Sequence, residues 1–415
     1  MKILTSVKKI TKQIGPGFVV AATGIGAGDM VAATVAGAIF GTEILWVVVV
    51  GAIFKYVLNE GIARWQLSNN TTITQGWLHK FKPIVGYYYV TYLFLWTFIV
   101  AGALISACGL VAHTIFPALS IQIWGIIHAL IGLILVGFGN YRILENIMKV
   151  FIGVMFITII TNTFLMDIEW STILPSFIIP SVPVGSIKLL LGVIGGIGGS
   201  LTILCYSYWL KAKNWNQPTD LPKARNDLSF AYILTGLFGA AIIILSATVD
   251  PEIISGNKII IGLADKLGET SGILGRWIFL IGFWGAVFSS LLGVWDGVPY
   301  LFHDYIIAKR TKKNSIVNDS NQSEIKKSKL YRLYLLYMSI VPLTLLFLAK
   351  PVWVIILYSI SGAFFMPFLA AMLLIMNNKV KWINKNKNGI ITNIILILIL
   401  ALFIYLLVIK IDEYI

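Results

Sequence analysis

The chain has 415 residues, of which 58% are hydrophobic and only 12% are charged. Soluble domains carry about a quarter of their residues as charges, so a soluble enzyme or binding module is excluded as the main body of this protein. The net charge of +14 does not indicate nucleic acid, because the basic residues lie in short segments between long apolar stretches, where membrane topology accounts for them.

A helix needs roughly 20 mostly apolar residues to cross a bilayer. In chain order, eleven stretches are predicted to do so: 15–40, 44–64, 84–113, 121–137, 143–166, 186–210, 230–247, 275–301, 331–349, 353–376 and 389–407. The basic start runs straight into the first span with no small-residue cleavage pattern, so no cleavable signal is expected. The connections are short and polar. The longest, 309–329, is rich in Lys, Ser and Asn and is predicted to be a disordered cytoplasmic loop. Cys108 and Cys205 both fall in apolar segments and form neither a disulfide framework nor a metal cluster.

With the N-terminus inside, 25 of the 32 Lys and Arg fall in cytoplasmic segments. Six fall outside (Lys188, Lys258, Lys266, Arg276, Lys350 and Lys410), and Lys55 lies within a span. The bias predicts a multi-pass protein of the cytoplasmic membrane, N-terminus cytoplasmic and C-terminus outside.

The first and sixth spans differ from the others. The first contains Thr23-Gly24-Ile25-Gly26-Ala27-Gly28-Asp29; the sixth contains Gly192, Gly195, Gly196, Gly198 and Gly199 before Ser200. Clustered glycine weakens a helix by up to ~1 kcal/mol per residue. Close helix packing through small residues explains one such span. Two at matched positions in consecutive five-span units predict inverted repeats with broken helices. The chain thus reads as a single transmembrane domain over 1–415. Its repeats cover about 15–166 and 186–376, with an extra helix at 389–407.

Several segments resemble, in order and spacing, the Nramp family of divalent-metal transporters. They are Gly15-Pro16-Gly17-Phe18, Ala36-Gly37, Phe40-Gly41, Leu45-Trp46, Ala63-Arg64, Ile73-Thr74-Gln75-Gly76, Asn140-Tyr141-Arg142-Ile143-Leu144-Glu145 and Met366-Pro367-Phe368. The resemblance implies an all-α integral membrane protein of about eleven transmembrane helices, a LeuT-like 5+5 inverted repeat with helices one and six broken. The departures fall on functional positions. The family's Asp-Pro-Gly-Asn becomes Gly26-Ala27-Gly28-Asp29, and its Met-Pro-His becomes Gly199-Ser200-Leu201. Its acidic pair in span three corresponds to Ser106 and Gly109, and its span-ten glutamine falls at or near Ser359. Without the histidine and the acidic pair, weak or absent proton coupling is expected.

An ionisable group inside a span costs several kcal/mol and needs a reason. Asp29 follows the glycine cluster near mid-span. There its carboxylate is expected to bind a hard cation with freed carbonyls of Thr23, Gly24 and Gly26, or to cap the second half-helix. Gly196 and Gly199 are expected to contribute from span six, and Ser289, Ser290 and Ser359 are further oxygen donors. Lys55 is expected to partner a carboxylate, Glu60 and Arg64 to pair at i,i+4, and Asp296 to line the inward exit or to pair with Lys55. Lys55, Glu60 and Asp296 are accordingly candidates for coupling or gating. His79, His113, His128 and His303 lack metal-ligand spacing and are read as structural. Gly26-x-Gly28 follows apolar helix rather than a strand, so it is not a phosphate loop.

The reading is a secondary transporter of a hard divalent cation such as Mg2+, Ca2+ or Mn2+, with the ion as cargo, no cofactor, the lipid bilayer as surroundings and no nucleic-acid partner. A carrier of amino acids or other small organic solutes on the same scaffold is the alternative, and a membrane-embedded enzyme a third that lacks any catalytic set.

Overall fold

The computed structural model describes residues 15–139, 146, 150, 153, 154, 156–163, 169–249, 259–310, 322–348 and 350–412. Among these, eight helices are long and apolar enough to cross a membrane, and two shorter apolar helices, Met30–Ile44 and Ile390–Leu406, accompany them. No strand occurs among the described residues. Half of the fifth predicted span, 143–166, falls outside them.

The first span is two helices, α1 (Pro16–Gly24) and α2 (Ala27–Phe40). They are followed by α3 (Trp46–Asn69), the short α4 (Ile73–Lys80), α5 (Pro83–Ile115) and α6 (Ile121–Phe138). The sixth span is again divided, into α7 (Ile187–Gly196), a 3-10 stretch Leu201–Cys205 and α8 (Tyr206–Ala212). Further along lie α9 (Leu221–Ser246), α10 (Ile259–Arg310), α11 (Gln322–Lys327), α12 (Lys329–Ile340), α13 (Pro351–Ala363), α14 (Phe365–Met376) and α15 (Ile390–Asp412), beside single-turn helices such as Leu345–Leu348.

The local chemistry explains the interruptions. Ile25 closes α1 by donating to Ala21 O at 2.6 Å, and the extended Gly26 opens α2. Gly198 and Gly199 have φ of 72° and 80°, a left-handed conformation that glycine adopts without a Cβ penalty. Pro367 cannot donate to the carbonyl four residues before it, and the tenth span accordingly divides at Phe364.

Several helices outrun the predicted spans. α3 continues to Asn69 and stops at Asn70, whose φ is 51°. α4 arises in the predicted connection because Thr72 and Gln75 form a capping box, with Gln75 N donating to Thr72 Oγ1 at 3.2 Å. α10 extends past Pro299 to Arg310 and kinks at Gly272. The predicted disordered loop is corrected in part: 322–327 is the helix α11, while 311–321 lie outside the described residues.

Leu95, Ile134, Ile233, Leu333 and Ile394 are exposed on the outside of the bundle. Inside, α5 buries Leu93, Trp96, Val100 and Leu104. Helices apolar on both faces belong in lipid, and this is a multi-pass membrane protein.

Candidate functional site

The two breaks abut. A Cβ on Gly24 would lie 2.5 Å from Gly198 C and 2.7 Å from Gly199 N, so backbone meets backbone where both spans unwind. On the other side of the first break, a Cβ on Gly26 would fall 2.3 Å from Ser290 Oγ, and one on Gly28 would fall 2.6 Å from the Tyr358 ring and 2.8 Å from Ser359 Oγ. The glycine cluster therefore lets α10 and α13 approach the break closely. Trp96 of α5 packs edge-on against Tyr358 and donates its indole N–H to Ser200 Oγ at 3.0 Å.

Asp29 is the third residue of α2, immediately after the break; its side chain lies outside what is described. Of the carbonyls expected around it, Thr23 O accepts from Ser290 Oγ at 2.8 Å, and Gly26 O accepts from Met30 N at 3.0 Å. Each thus already holds one hydrogen bond. The Thr23 hydroxyl is buried and has no hydrogen-bond partner among the described residues. Ser289 Oγ donates to Ala286 O and Ser359 Oγ to Ile355 O, each within its own helix.

On span six, Gly196 O accepts from Gly199 N at 3.0 Å. Lys55 crosses from α3 and donates Nζ to Gly195 O at 3.0 Å and to Gly199 O. Lys55 thus reaches backbone carbonyls at the second break, and the pairing with Asp296 weighed from sequence is replaced by another: Asp296 is bound by Lys326 Nζ at 2.6 Å. Trp209 Nε1 also donates to Asp296 at 3.4 Å. Cys205 sits against the same turn of α10, since a Cβ on Gly297 would lie 2.7 Å from its sulfur.

Glu60 and Arg64 form the expected i,i+4 pair at 2.7 Å, and Arg225 of α9 joins Glu60 at 2.8 Å. Arg64 also donates to Lys387 O at 2.7 Å. Two buried carboxylates escaped the sequence reading because they lay just beyond its span boundaries. Asp227 accepts from Gly15 N at 3.1 Å, Gly17 N at 2.6 Å and the Tyr206 hydroxyl at 2.9 Å. Asp304 accepts from Thr72 Oγ1, from Gln75 Nε2 at 2.5 Å and from the Tyr208 hydroxyl at 3.3 Å. These groups gather at the near end of the bundle, where α1 begins.

His128 accepts the Trp284 indole N–H at Nε2 (2.7 Å), which leaves Nδ1 as the donor to Trp124 O. The ring thereby ties α6 to α10. Gly109 faces α6, where a Cβ would meet Ile121 O at 2.3 Å, while the Ser106 hydroxyl is buried without a partner among the described residues. Among the described residues no three His, Cys, Asp or Glu side chains are grouped to hold a metal.

Two spans broken side by side at mid-bundle, with neighbouring helices closing over the breaks, define a transporter of the LeuT-like class. The family model for natural resistance-associated macrophage protein-like (Nramp) proteins matches residues 17–411, and the chain belongs to that family. The family is one of transporters, not of enzymes. A manganese transporter of Eremococcus coleocola, in complex with an aromatic bis-isothiourea substituted compound, is similar with a TM-score of 0.75 and 16% identity, over 98% of this chain and 87% of that one. MhsT in complex with L-phenylalanine is similar with a TM-score of 0.55 and 15% identity, over 93% of this chain and 97% of that one. An uncharacterized protein of Pasteurella multocida (strain Pm70) is 21% identical over 300 residues, 68% of each chain.

Proposed function

We propose that this protein is a secondary transporter of a hard divalent cation, Mg2+, Ca2+ or Mn2+, in the cytoplasmic membrane, with the N-terminus inside and the C-terminus outside. The observation that carries the reading is the break in span one. Asp29 stands on the first turn of α2 after it, and the buried Thr23 hydroxyl, which has no hydrogen-bond partner among the described residues, precedes it in the chain. Ser290 and Ser359 add hydroxyls where Gly26 and Gly28 admit them. Carboxylate, hydroxyl, carbonyl and water suit hard ions, whereas thiolate and thioether select soft ones. Gly199 stands where the family has a methionine, and Cys205 packs on Gly297 rather than on the break. The manganese transporter from Eremococcus coleocola supports divalent-ion cargo by likeness of fold. Transport proceeds by movement of the repeat over about 15–166 against that over about 186–376, with Gly196 and Gly199 on the opposite wall of the site.

A second reading, carriage of an amino acid or similar organic solute, is favoured by the Trp96–Tyr358 pair beside Gly28, which offers an aromatic wall to an organic side chain. Competition in reconstituted uptake separates the two. Mg2+, Ca2+ or Mn2+ is expected to be carried ahead of Cd2+, with no competition from amino acids. Preferred carriage of Cd2+ that Cys205→Ala removes would refute the hard-ion site, and saturable amino-acid uptake would establish the second reading.

A further inference from the structure

Divalent-ion transport leaves one group at the breaks unexplained. The ammonium of Lys55 is 0% exposed and sits among carbonyls of its own chain. Gly195 belongs to the last turn of α7, where carbonyls lack intrahelical donors and carry the negative end of the helix dipole. Gly199 belongs to the left-handed stretch that follows, and its carbonyl turns back to the same point. Lys55 Nζ donates to both. The placement is fixed by packing: Gly198 lies against the Tyr232 ring and Lys55 Cβ, and Asn59, one turn along α3, donates to the Tyr232 hydroxyl at 3.1 Å. Unwound carbonyls together with a half-helix C-terminus are the arrangement with which broken-helix transporters coordinate a small monovalent cation. Here the cation is part of the chain.

We propose that Lys55 is a tethered monovalent cation: its ammonium fills the carbonyl cradle at the end of α7, so the carrier holds no free sodium or potassium ion there during its cycle. The proposal rests on α3 and α7 and is independent of which cargo is carried.

The test reads thermal unfolding of purified protein with N-methylglucamine as the sole monovalent cation, followed by addition of Na+, ammonium or methylammonium. The wild type is expected to be indifferent to all three. Lys55→Ala is expected to melt lower and to recover most of the loss, saturably, with methylammonium or ammonium, which restore the deleted group. Lys55→Met keeps the apolar stem, so it is expected to recover with ammonium or Na+ and not with the bulkier methylammonium; it also serves if the alanine variant does not fold. A saturable Na+ shift in the wild type would overturn the proposal, because it would mean a free ion binds there. Loss of melting temperature that no small cation restores in either variant would also overturn it. The readout needs no cargo, so failure of the divalent-ion reading leaves its outcome unaffected.

Discussion

Lys326, on the six-residue helix α11, reaches into the bundle and binds Asp296 of α10 at 2.6 Å, both side chains being largely buried. The same short helix sends Gln322 to the backbone carbonyl of Tyr208 in α8. A segment that composition marks as polar loop is thereby held to two transmembrane elements. Breaking a buried ion pair from one side costs roughly 3–5 kcal/mol, because it leaves an uncompensated charge. We expect Lys326→Met to lower stability by about that much, less whatever the Trp209 indole recovers. We expect the double variant Lys326→Met/Asp296→Asn to regain a large part of it. A double-mutant cycle by thermal or denaturant unfolding checks this; additive losses would mean the pair contributes nothing.

Asp29→Ala is expected to abolish uptake while leaving the fold in place. At the third position of α2 a carboxylate stabilises a helix by about 0.3–1 kcal/mol through the dipole, too little to unfold a bundle of this size. Near-normal uptake by a variant whose melting temperature has dropped would assign Asp29 to capping alone.

Gly24→Ala tests the contact between the breaks. The added methyl would meet the Gly198–Gly199 backbone at 2.5 and 2.7 Å, and overpacking of this kind costs about 1–3 kcal/mol. Uptake is expected to fall with stability. Gly137→Ala, where a Cβ meets nothing within 4 Å, is the control and is expected to be neutral or slightly stabilising. Equal behaviour of the two variants in melting and uptake would rule out a tight contact at Gly24.

Asp227→Ala removes the acceptor of Gly15 N and Gly17 N. Loss of such a cap costs about 0.5–2 kcal/mol, and the effect is expected to be local. Amide hydrogen exchange over residues 16–24 should accelerate while that over 30–40 stays unchanged. Uniform acceleration across both would mean that the carboxylate supports the whole bundle rather than α1.

Much of the architecture is legible in the sequence because lipid enforces it. Long apolar stretches have few alternatives to spanning helices, and the paired glycine clusters mark the breaks within a residue or two. What the sequence withheld was partner choice. Lys55, Glu60 and Asp296 are conspicuous as charges inside spans, but which group each meets depends on helix rotation and on contacts far along the chain, such as Lys326 with Asp296 across 30 residues. Asp227 and Asp304 were hidden for another reason. Both sit where a helix continues beyond its apolar core, so hydropathy places them in solvent while the neighbouring helices bury them.

The first half-helix has nine residues, about 13 Å of rod at 1.5 Å per residue. It is gripped at both tips by other parts of the chain: Asp227 holds its start, and Gly24 rests on the Gly198–Gly199 backbone at its finish. Between the rod and α2 there are only two non-helical residues, Ile25 and Gly26. Swinging the rod away from the near end therefore requires the release of two amide bonds to one carboxylate, together about the 0.5–2 kcal/mol of a lost helix cap. The start of the rod is thus anchored by a single side chain on α9, and the strength of that anchor does not scale with the size of the bundle around it.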